Sequence, residues 1–96
     1  MALDIARSDI VKSIAGRDKG KFFFVIDMEN EFLVLADGKT RRLENPKRKK
    51  RKHTVFVESR DCRVAEKIRS EEKVTNSELR RTLAAYGEDG NPDQEG

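Results

Sequence analysis

The most conspicuous chemistry in the sequence belongs to a run of six consecutive cations. Residues 47–52 are all Lys or Arg, and the run lies between Pro46 and His53. Adjacent positive charges repel one another, and each contact with a phosphate releases condensed counterions, so the run favours a polyanion as its partner. We therefore expect residues 46–53 to form an exposed loop that binds phosphates. The predicted contact residues in this loop are Lys47, Arg48, Lys49, Lys50, Arg51, Lys52 and His53.

Further cations precede that run. Residues 39–53 contain nine Lys or Arg and one acid, Glu44, although the net charge of the 96-residue chain is only +3. We add Arg41 and Arg42 to the predicted site, because a guanidinium offers a planar fork for phosphates and stacks on unpaired bases. A solvated loop and an anionic membrane surface are the other interpretations of such a charge block. No apolar anchor lies beside it, which disfavours the membrane.

A glycine-rich turn at residues 16–21, Gly-Arg-Asp-Lys-Gly-Lys, is the second candidate feature. Its two glycines allow a backbone to approach a partner closely, and three basic side chains surround them. The same composition is typical of an ordinary β-turn with solvated, charged residues. The residues alone leave both interpretations open.

The composition argues against enzyme and metal chemistry. Apolar residues make up 35% of the chain and charged residues 41%, which leaves little material to line a substrate pocket. His53 and Cys62 are the single residues of their types, so neither a disulfide nor a zinc site of the usual ligand count is expected. No phosphate loop of the Walker or Rossmann kind occurs. We expect no enzymatic activity, no cofactor and no bound metal.

The sequence also predicts a location. The N-terminus lacks a charged region followed by a long apolar run, and no apolar stretch approaches the length of a membrane span. We expect a cytoplasmic protein that does not bind membranes and is monomeric when free.

The first half of the chain has the pattern of a β-protein. Short apolar or β-branched runs alternate with turns that contain Gly, Asn or Pro, which favours a small barrel over a parallel sheet. The predicted strands lie near residues 10–14, 22–27, 32–36, 39–43 and 53–58. The Asp37-Gly38 pair predicts a hairpin turn between the third and the fourth.

The pattern becomes helical after Ser59. The first predicted helix is capped by Asp61 and carries Val64, Ala65 and Ile68; the second is capped by Asn76 or Ser77, carries Glu78, Leu79, Leu83 and Tyr86, and stops at Gly87. We therefore divide the chain into a barrel at residues 1–60, a helical segment at 61–87 and a disordered acidic tail at 88–96. The fold class is mainly β with C-terminal α.

Three consecutive phenylalanines make a prediction about packing. Side chains alternate along a strand, so Phe22 and Phe24 share one face and Phe23 lies on the other. One face fills the core. The other is either covered by the C-terminal helices, which we favour because short helices need an apolar partner, or exposed as a platform for RNA bases.

Residues 9–27 resemble a KOW motif, in which a strand leads into a turn with Gly-x-x-x-Gly-Lys and then into an apolar strand. With Ala36-Asp37-Gly38-Lys39 and the basic segment, residues 7–57 resemble bacterial KOW-domain relatives of the archaeal and eukaryotic "fourteen-e" ribosomal proteins of the large subunit. The resemblance implies an SH3-like barrel of about five strands that contacts RNA, often rRNA, through loops around the KOW turn. The site residues that it implies are Arg17, Lys19, Gly20 and Lys21.

The combined interpretation is an RNA-binding protein associated with rRNA or the large ribosomal subunit, with a role in translation. The alternative is a protein-interaction module that docks on the transcription or translation machinery through its helices and acidic tail.

Overall fold

The computed structural model describes residues 5–59 and 62–86. Within these ranges five β-strands come first and two α-helices follow, with a short 3₁₀ turn after β4 and another after α2. The elements are β1 (Ile10–Ser13), β2 (Phe22–Glu29), β3 (Phe32–Ala36), β4 (Lys47–Lys50), the turn Arg51–His53, β5 (Thr54–Glu58), α1 (Arg63–Arg69), α2 (Asn76–Leu83) and the turn Ala84–Tyr86. The prediction of a mainly β chain with C-terminal helices is confirmed.

The five strands form one antiparallel sheet in the order β4-β3-β2-β1-β5. The first four strands follow one another as neighbours, and β5 returns to pair with β1. A β-bulge interrupts the pairing of β2 with β3 at Ile26. Another interrupts the pairing of β1 with β5 at Val57, between the pairs Ile10↔Glu58 and Val11↔Phe56. Bulges bend the strand that carries them and increase its local twist.

An apolar cluster lies on each face of the sheet. The inner cluster consists of Ile5, Val11, Phe23, Val25, Leu33 and Leu35, with Met28 and Phe56 against it. The helix-side cluster consists of Ile10, Phe24, Ala36, Val64, Ile68, Leu79 and Leu83, with Phe22 and Tyr86 among the residues packed against it. The alternation predicted for the three phenylalanines is confirmed, and so is the covering of one face by the helices.

The segment predicted as a fourth strand, residues 39–43, is a loop instead. The Asp37 side chain holds it: Oδ1 accepts from the backbone N–H groups of Lys39 and Arg41 at 2.9 and 2.8 Å, and Oδ2 accepts from the Thr40 hydroxyl at 2.8 Å. These local hydrogen bonds compete with strand pairing, as Asp side chains commonly do in turns. The strand that pairs with β3 is β4, from within the basic run.

The N-cap of the second helix lies one residue before the predicted cap Asn76 and two before Ser77. Thr75 is the N-cap: its hydroxyl accepts from the Glu78 backbone N–H, and the Glu78 carboxylate accepts from the Thr75 N–H. This reciprocal capping box satisfies two N–H groups at the helix terminus. The Asn76 side chain instead accepts from the Leu43 backbone N–H at 2.7 Å, which ties α2 to the 37–43 loop.

Cys62 is the N-cap of α1, without a side-chain hydrogen bond to the first turn of the helix. The predicted cap Asp61, the predicted stop Gly87 and the predicted acidic tail at 88–96 lie outside the described residues. No helix within the described ranges has the length and apolar character needed to cross a membrane.

Candidate nucleic-acid interface

The predicted basic loop is a strand and a 3₁₀ turn. Residues 47–50 form β4, whose backbone pairs with β3 from Leu35↔Lys47 to Phe32↔Lys50, and residues 51–53 form the turn into β5. The prediction of a loop is wrong because strand geometry sends successive side chains to opposite faces, where acids from other elements neutralise several of them. The mutual repulsion that suggested an unpaired loop is thereby relieved within the fold.

One face of β4 is bound to the glycine-rich turn through Asp18. The Lys49 ammonium lies 3.1 Å from Asp18 Oδ1, and the Lys47 ammonium lies 3.6 Å from Oδ2. Lys49 also donates to the Ala15 carbonyl at 2.9 Å, and its side chain is only 8% exposed. Lys49 therefore holds the turn against β4, and Asp18 neutralises its charge within the fold.

Asp18 is negatively charged in this setting. Burial alone would raise the pKa of its carboxyl, but the hydrogen bond from the Ser13 hydroxyl and the ammonium groups of Lys49 and Lys47 outweigh burial and lower that pKa. Ser13 lies at the end of β1 and donates to Asp18 Oδ1 at 2.7 Å. The carboxylate thus joins β1, the turn and β4.

The other face of β4 carries Arg48. Its guanidinium lies 2.9 Å from the Glu29 carboxylate and 4.9 Å from the centroid of the Phe32 ring. The Arg48 and Glu29 side chains are 60% and 49% exposed, so this ion pair contributes little to stability. Arg48 therefore points away from the turn that Lys47 and Lys49 contact.

The remaining residues of the basic run lie around the 3₁₀ turn. The Arg51 backbone N–H donates to the Glu31 carbonyl at 2.8 Å, and the His53 carbonyl accepts from the Ile14 N–H at 2.9 Å. Lys52 is exposed, whereas Lys50, Arg51 and His53 are half-buried. This part of the run connects the two edge strands.

The glycine-rich turn is held by its own backbone. The Gly20 N–H donates to the Ser13 carbonyl at 2.8 Å, and the Ser13 N–H donates to the Lys21 carbonyl at 2.9 Å. Gly16 and Gly20 have φ angles of +86° and +93°, which L side chains rarely adopt. The side chains of Arg17, Lys19 and Lys21 are left exposed.

A basic cleft of about 320 Å³ opens where this turn meets β4 and the 37–43 loop. Its lining residues are Arg17, Asp18, Lys21, Phe23, Thr40, Arg41 and Lys47. Four of these are cations, and the one acid, Asp18, is already paired with Lys49 and Lys47. The cleft can therefore accept an anion such as a backbone phosphate.

A larger cleft of about 600 Å³ adjoins the basic cleft and shares Lys21 and Thr40 with it. We call it the Phe22 cleft; its lining residues are Gly20, Lys21, Phe22, Asp37, Lys39, Thr40, Arg80, Leu83 and Ala84. Helix α2 supplies one wall of this cleft, and the glycine-rich turn and the 37–43 loop supply the others.

The structure thus divides the residues predicted for the site. The turn residues Arg17, Gly20 and Lys21, together with Arg41 and Lys47, line one or other of two adjoining clefts. The predicted residues that line neither cleft are Lys19, Arg42, Arg48, Lys49, Lys50, Arg51, Lys52 and His53. Among them Arg42 pairs with Glu44 at 3.1 Å. The concave surface therefore holds only part of the basic run.

Some lining residues were not in the predicted site. Lys39 and Thr40 lie beside predicted residues, so the excess of cations near them was the available signal. Arg80 lies 42 residues from Gly38, to whose carbonyl it donates at 2.8 Å, and no local pattern indicated that α2 would border the cleft. Within the described residues, no group of His, Cys, Asp and Glu side chains could hold a metal ion.

No protein-family model and no curated protein sequence matches the chain.

Proposed function

We propose that this chain is an RNA-binding protein whose contact surface is the basic cleft between the glycine-rich turn and β4. The observation that carries the proposal is that Arg17, Lys21, Arg41 and Lys47, from three separate segments, line one concave surface. Convergent cations bind a phosphate backbone without reading base identity. Lys49 is left out of the proposed contact set because its ammonium is buried against Asp18.

The proposal includes an SH3-like barrel of the KOW kind. The return of β5 to β1, the two bulges and the inner cluster support it, because a small antiparallel barrel requires a curved sheet with a filled interior. The resemblance of residues 9–27 to a KOW motif falls on β1, the turn and β2, and Gly20 would be the glycine of that motif.

The expected partner is rRNA or the large ribosomal subunit, and the expected location is the cytoplasm. Both come from the resemblance to the bacterial KOW relatives of large-subunit ribosomal proteins. The cleft itself favours RNA that presents an accessible backbone, since the turn and loop residues could follow phosphates on a folded RNA surface.

The alternative proposal, a module that docks on the transcription or translation machinery, has weaker support. The apolar side chains of α1 and α2 are buried against the sheet: Leu79 is 0%, Leu83 5% and Ile68 3% exposed. A protein partner that docks on the helices rather than on the acidic tail would therefore have to bind their polar faces.

Sedimentation of a cell lysate separates the two proposals. We expect the protein to migrate with ribosomal subunits at low salt and to leave them at high salt or after RNase treatment, since phosphate contacts are strongly salt-dependent. An association that resists both RNase and high salt would support the protein-interaction module and would contradict RNA binding as the main function.

A further inference from the structure

We propose that the Phe22 cleft holds one unpaired base of a single-stranded RNA segment whose backbone crosses the neighbouring basic cleft. This inference rests on the proposed function and deepens it by assigning the bound RNA an unpaired nucleotide. The two clefts adjoin at Lys21 and Thr40, so a strand whose phosphate contacts Lys21 has the Phe22 cleft directly beside it.

The chemistry of the cleft is amphipathic in the way that a nucleotide requires. Phe22, Leu83 and Ala84 give it an apolar wall, and the cations at its border are Lys21, Lys39 and Arg80. A base needs an apolar or aromatic surface to stack on, and the adjoining phosphate needs cations. The volume of about 600 Å³ falls in the usual range for small-molecule sites of roughly 300–1,000 Å³.

The ring of Phe22 is fixed in place rather than free to collapse into the cleft. It packs against the helix-side cluster and against Tyr86, whose ring centroid is 5.4 Å away at an interplanar angle of 43°. The Lys12 ammonium lies 5.7 Å from the same ring centroid. Phe22 is thus a held aromatic surface next to positive charge, which suits a stacked base beside its phosphate.

Arg80 is also held in a defined orientation. Its guanidinium donates to the Gly38 carbonyl at 2.8 Å and to the Ser77 hydroxyl at 3.0 Å. A guanidinium has five N–H donors in a planar fork, so these two bonds fix its plane and leave further donors for a ligand. The Gly20 side of the cleft is open, since a Cβ there would meet nothing within 4 Å.

An unpaired base is the occupant that fits, because a base in a duplex presents only its edge and cannot stack on a protein ring. A segment made of Asp and Glu could satisfy the cations but would leave the apolar wall without an aromatic partner. A free nucleotide has the same chemistry as a nucleotide within RNA, so the experiment must separate these two sources.

Fluorescence of Phe22→Trp tests the inference, because the natural chain contains no Trp. Phe32→Trp is the matched control: Phe32 is also half-buried with a cation over its ring, but it lines neither cleft. We expect single-stranded RNA to quench the Trp at position 22 saturably and the Trp at position 32 little. An abasic ribose-phosphate polymer of the same length should bind without quenching either.

Affinity gives an independent readout. Anisotropy of labelled polymers should show that wild type prefers RNA over the abasic polymer by about five- to 150-fold, the range for one stacked base. Phe22→Leu should lose most of that preference while it binds the abasic polymer as wild type does, and Phe32→Leu should keep it. Unfolding curves establish that both variants are folded.

The outcomes separate the inference from the function on which it rests. If RNA binds without quenching the Trp of Phe22→Trp, the base site is wrong and RNA binding still stands. The same holds if Phe22→Leu keeps the wild-type preference for RNA over the abasic polymer. Failure of wild type to bind either polymer overturns the proposed function and this inference with it. If adenosine monophosphate quenches the Trp at position 22 as strongly as RNA does at equal nucleotide concentration, the site binds free nucleotides and RNA is not its source of bases. If polyglutamate quenches this Trp, the cleft does not recognise a base.

Discussion

The Lys49 ammonium of β4 lies 3.1 Å from Oδ1 of Asp18, in the turn between β1 and β2. Lys49, one residue of the six-cation run, is thereby buried in a structural ion pair, whereas its neighbour Arg48 is exposed on the other face of β4. The run is therefore not a uniform polyanion-binding segment. Its alternate residues have different surroundings, and mutations along it should have different effects.

Loss of the Asp18 charge should destabilise the fold. Asp18→Asn removes the counter-charge of a lysine that is only 8% exposed, and we expect the free energy of unfolding at pH 7 to fall by about 2 kcal/mol. Urea denaturation measures this difference. Asp27→Asn is the matched control, because Asp27 is exposed and its carboxylate accepts a hydrogen bond from the next residue's N–H, and it should change the free energy by less than about 0.5 kcal/mol.

The same comparison should depend on pH. The pKa of Asp18 in the fold is below its ordinary value of 3.8. A carboxyl whose pKa is lowered in the folded state stabilises the fold at pH values above its ordinary pKa. This contribution is lost as the pH falls through the folded-state pKa. The difference between wild type and Asp18→Asn should thus be constant above about pH 5 and shrink below about pH 4. A difference that stays constant down to about pH 2 would contradict the ion pair.

Two lysines of the basic run should behave differently from each other. Lys49→Gln leaves Asp18 without its nearest cation, so we expect a loss of about 2 kcal/mol in unfolding free energy. Lys52→Gln removes an exposed charge from the 3₁₀ turn and should cost less than about 0.5 kcal/mol. Thermal or urea unfolding checks both, and equal losses would show that the charge run as a whole, not the Asp18 contact, determines stability.

Two glycines with positive φ provide a matched pair. Gly20 has a φ of +93° and open space where a Cβ would lie, whereas Gly38 has a φ of +78° and a Cβ there would lie 2.1 Å from the Asn76 carbonyl oxygen. Gly20→Ala should cost about 1 kcal/mol from backbone strain. Gly38→Ala adds a backbone clash that moves α2 from the 37–43 loop, and should cost about 3 kcal/mol or more. Similar losses for the two variants would contradict the close approach of Gly38 to α2.

Gly20→Asn refines that comparison. Asn tolerates positive φ better than most residues, so this variant should cost less than Gly20→Val, whose β-branched side chain is strained there. If Val and Asn at this position gave the same unfolding free energy, backbone conformation would not be the reason for glycine.

Local periodicity was enough to predict much of the fold. Phe22, Phe23 and Phe24 alternate between two clusters because side-chain direction in a strand depends only on the backbone. The buried stripes of both helices also follow from spacing, with Ile68 in α1 and Leu79 in α2 buried as predicted. Each of these features is determined by neighbours within a few residues.

The strand β4 could not be predicted in that way. Its composition of Lys and Arg is unlike a strand, and the acids that make it tolerable, Asp18 and Glu29, lie 31 and 19 residues from Lys49 and Arg48. The loop at residues 39–43 was mistaken for a strand because the Asp37 side chain satisfies its backbone N–H groups locally. Arg80 joins the cleft only through tertiary packing of α2.

The salt dependence of RNA affinity tests the central claim most directly. One double variant combines Lys21→Ser with Arg41→Ser and removes two cations from the basic cleft. The control combines Arg63→Ser with Lys73→Ser and removes two exposed cations from the helical segment. Anisotropy with labelled single-stranded RNA over a salt series gives the slope of log affinity against log salt. We expect the cleft variant to bind more weakly with a slope about 1.4 smaller in magnitude, and the control to keep the wild-type slope. A wild-type slope in the cleft variant, or an equal change in the control, would contradict RNA binding at this cleft.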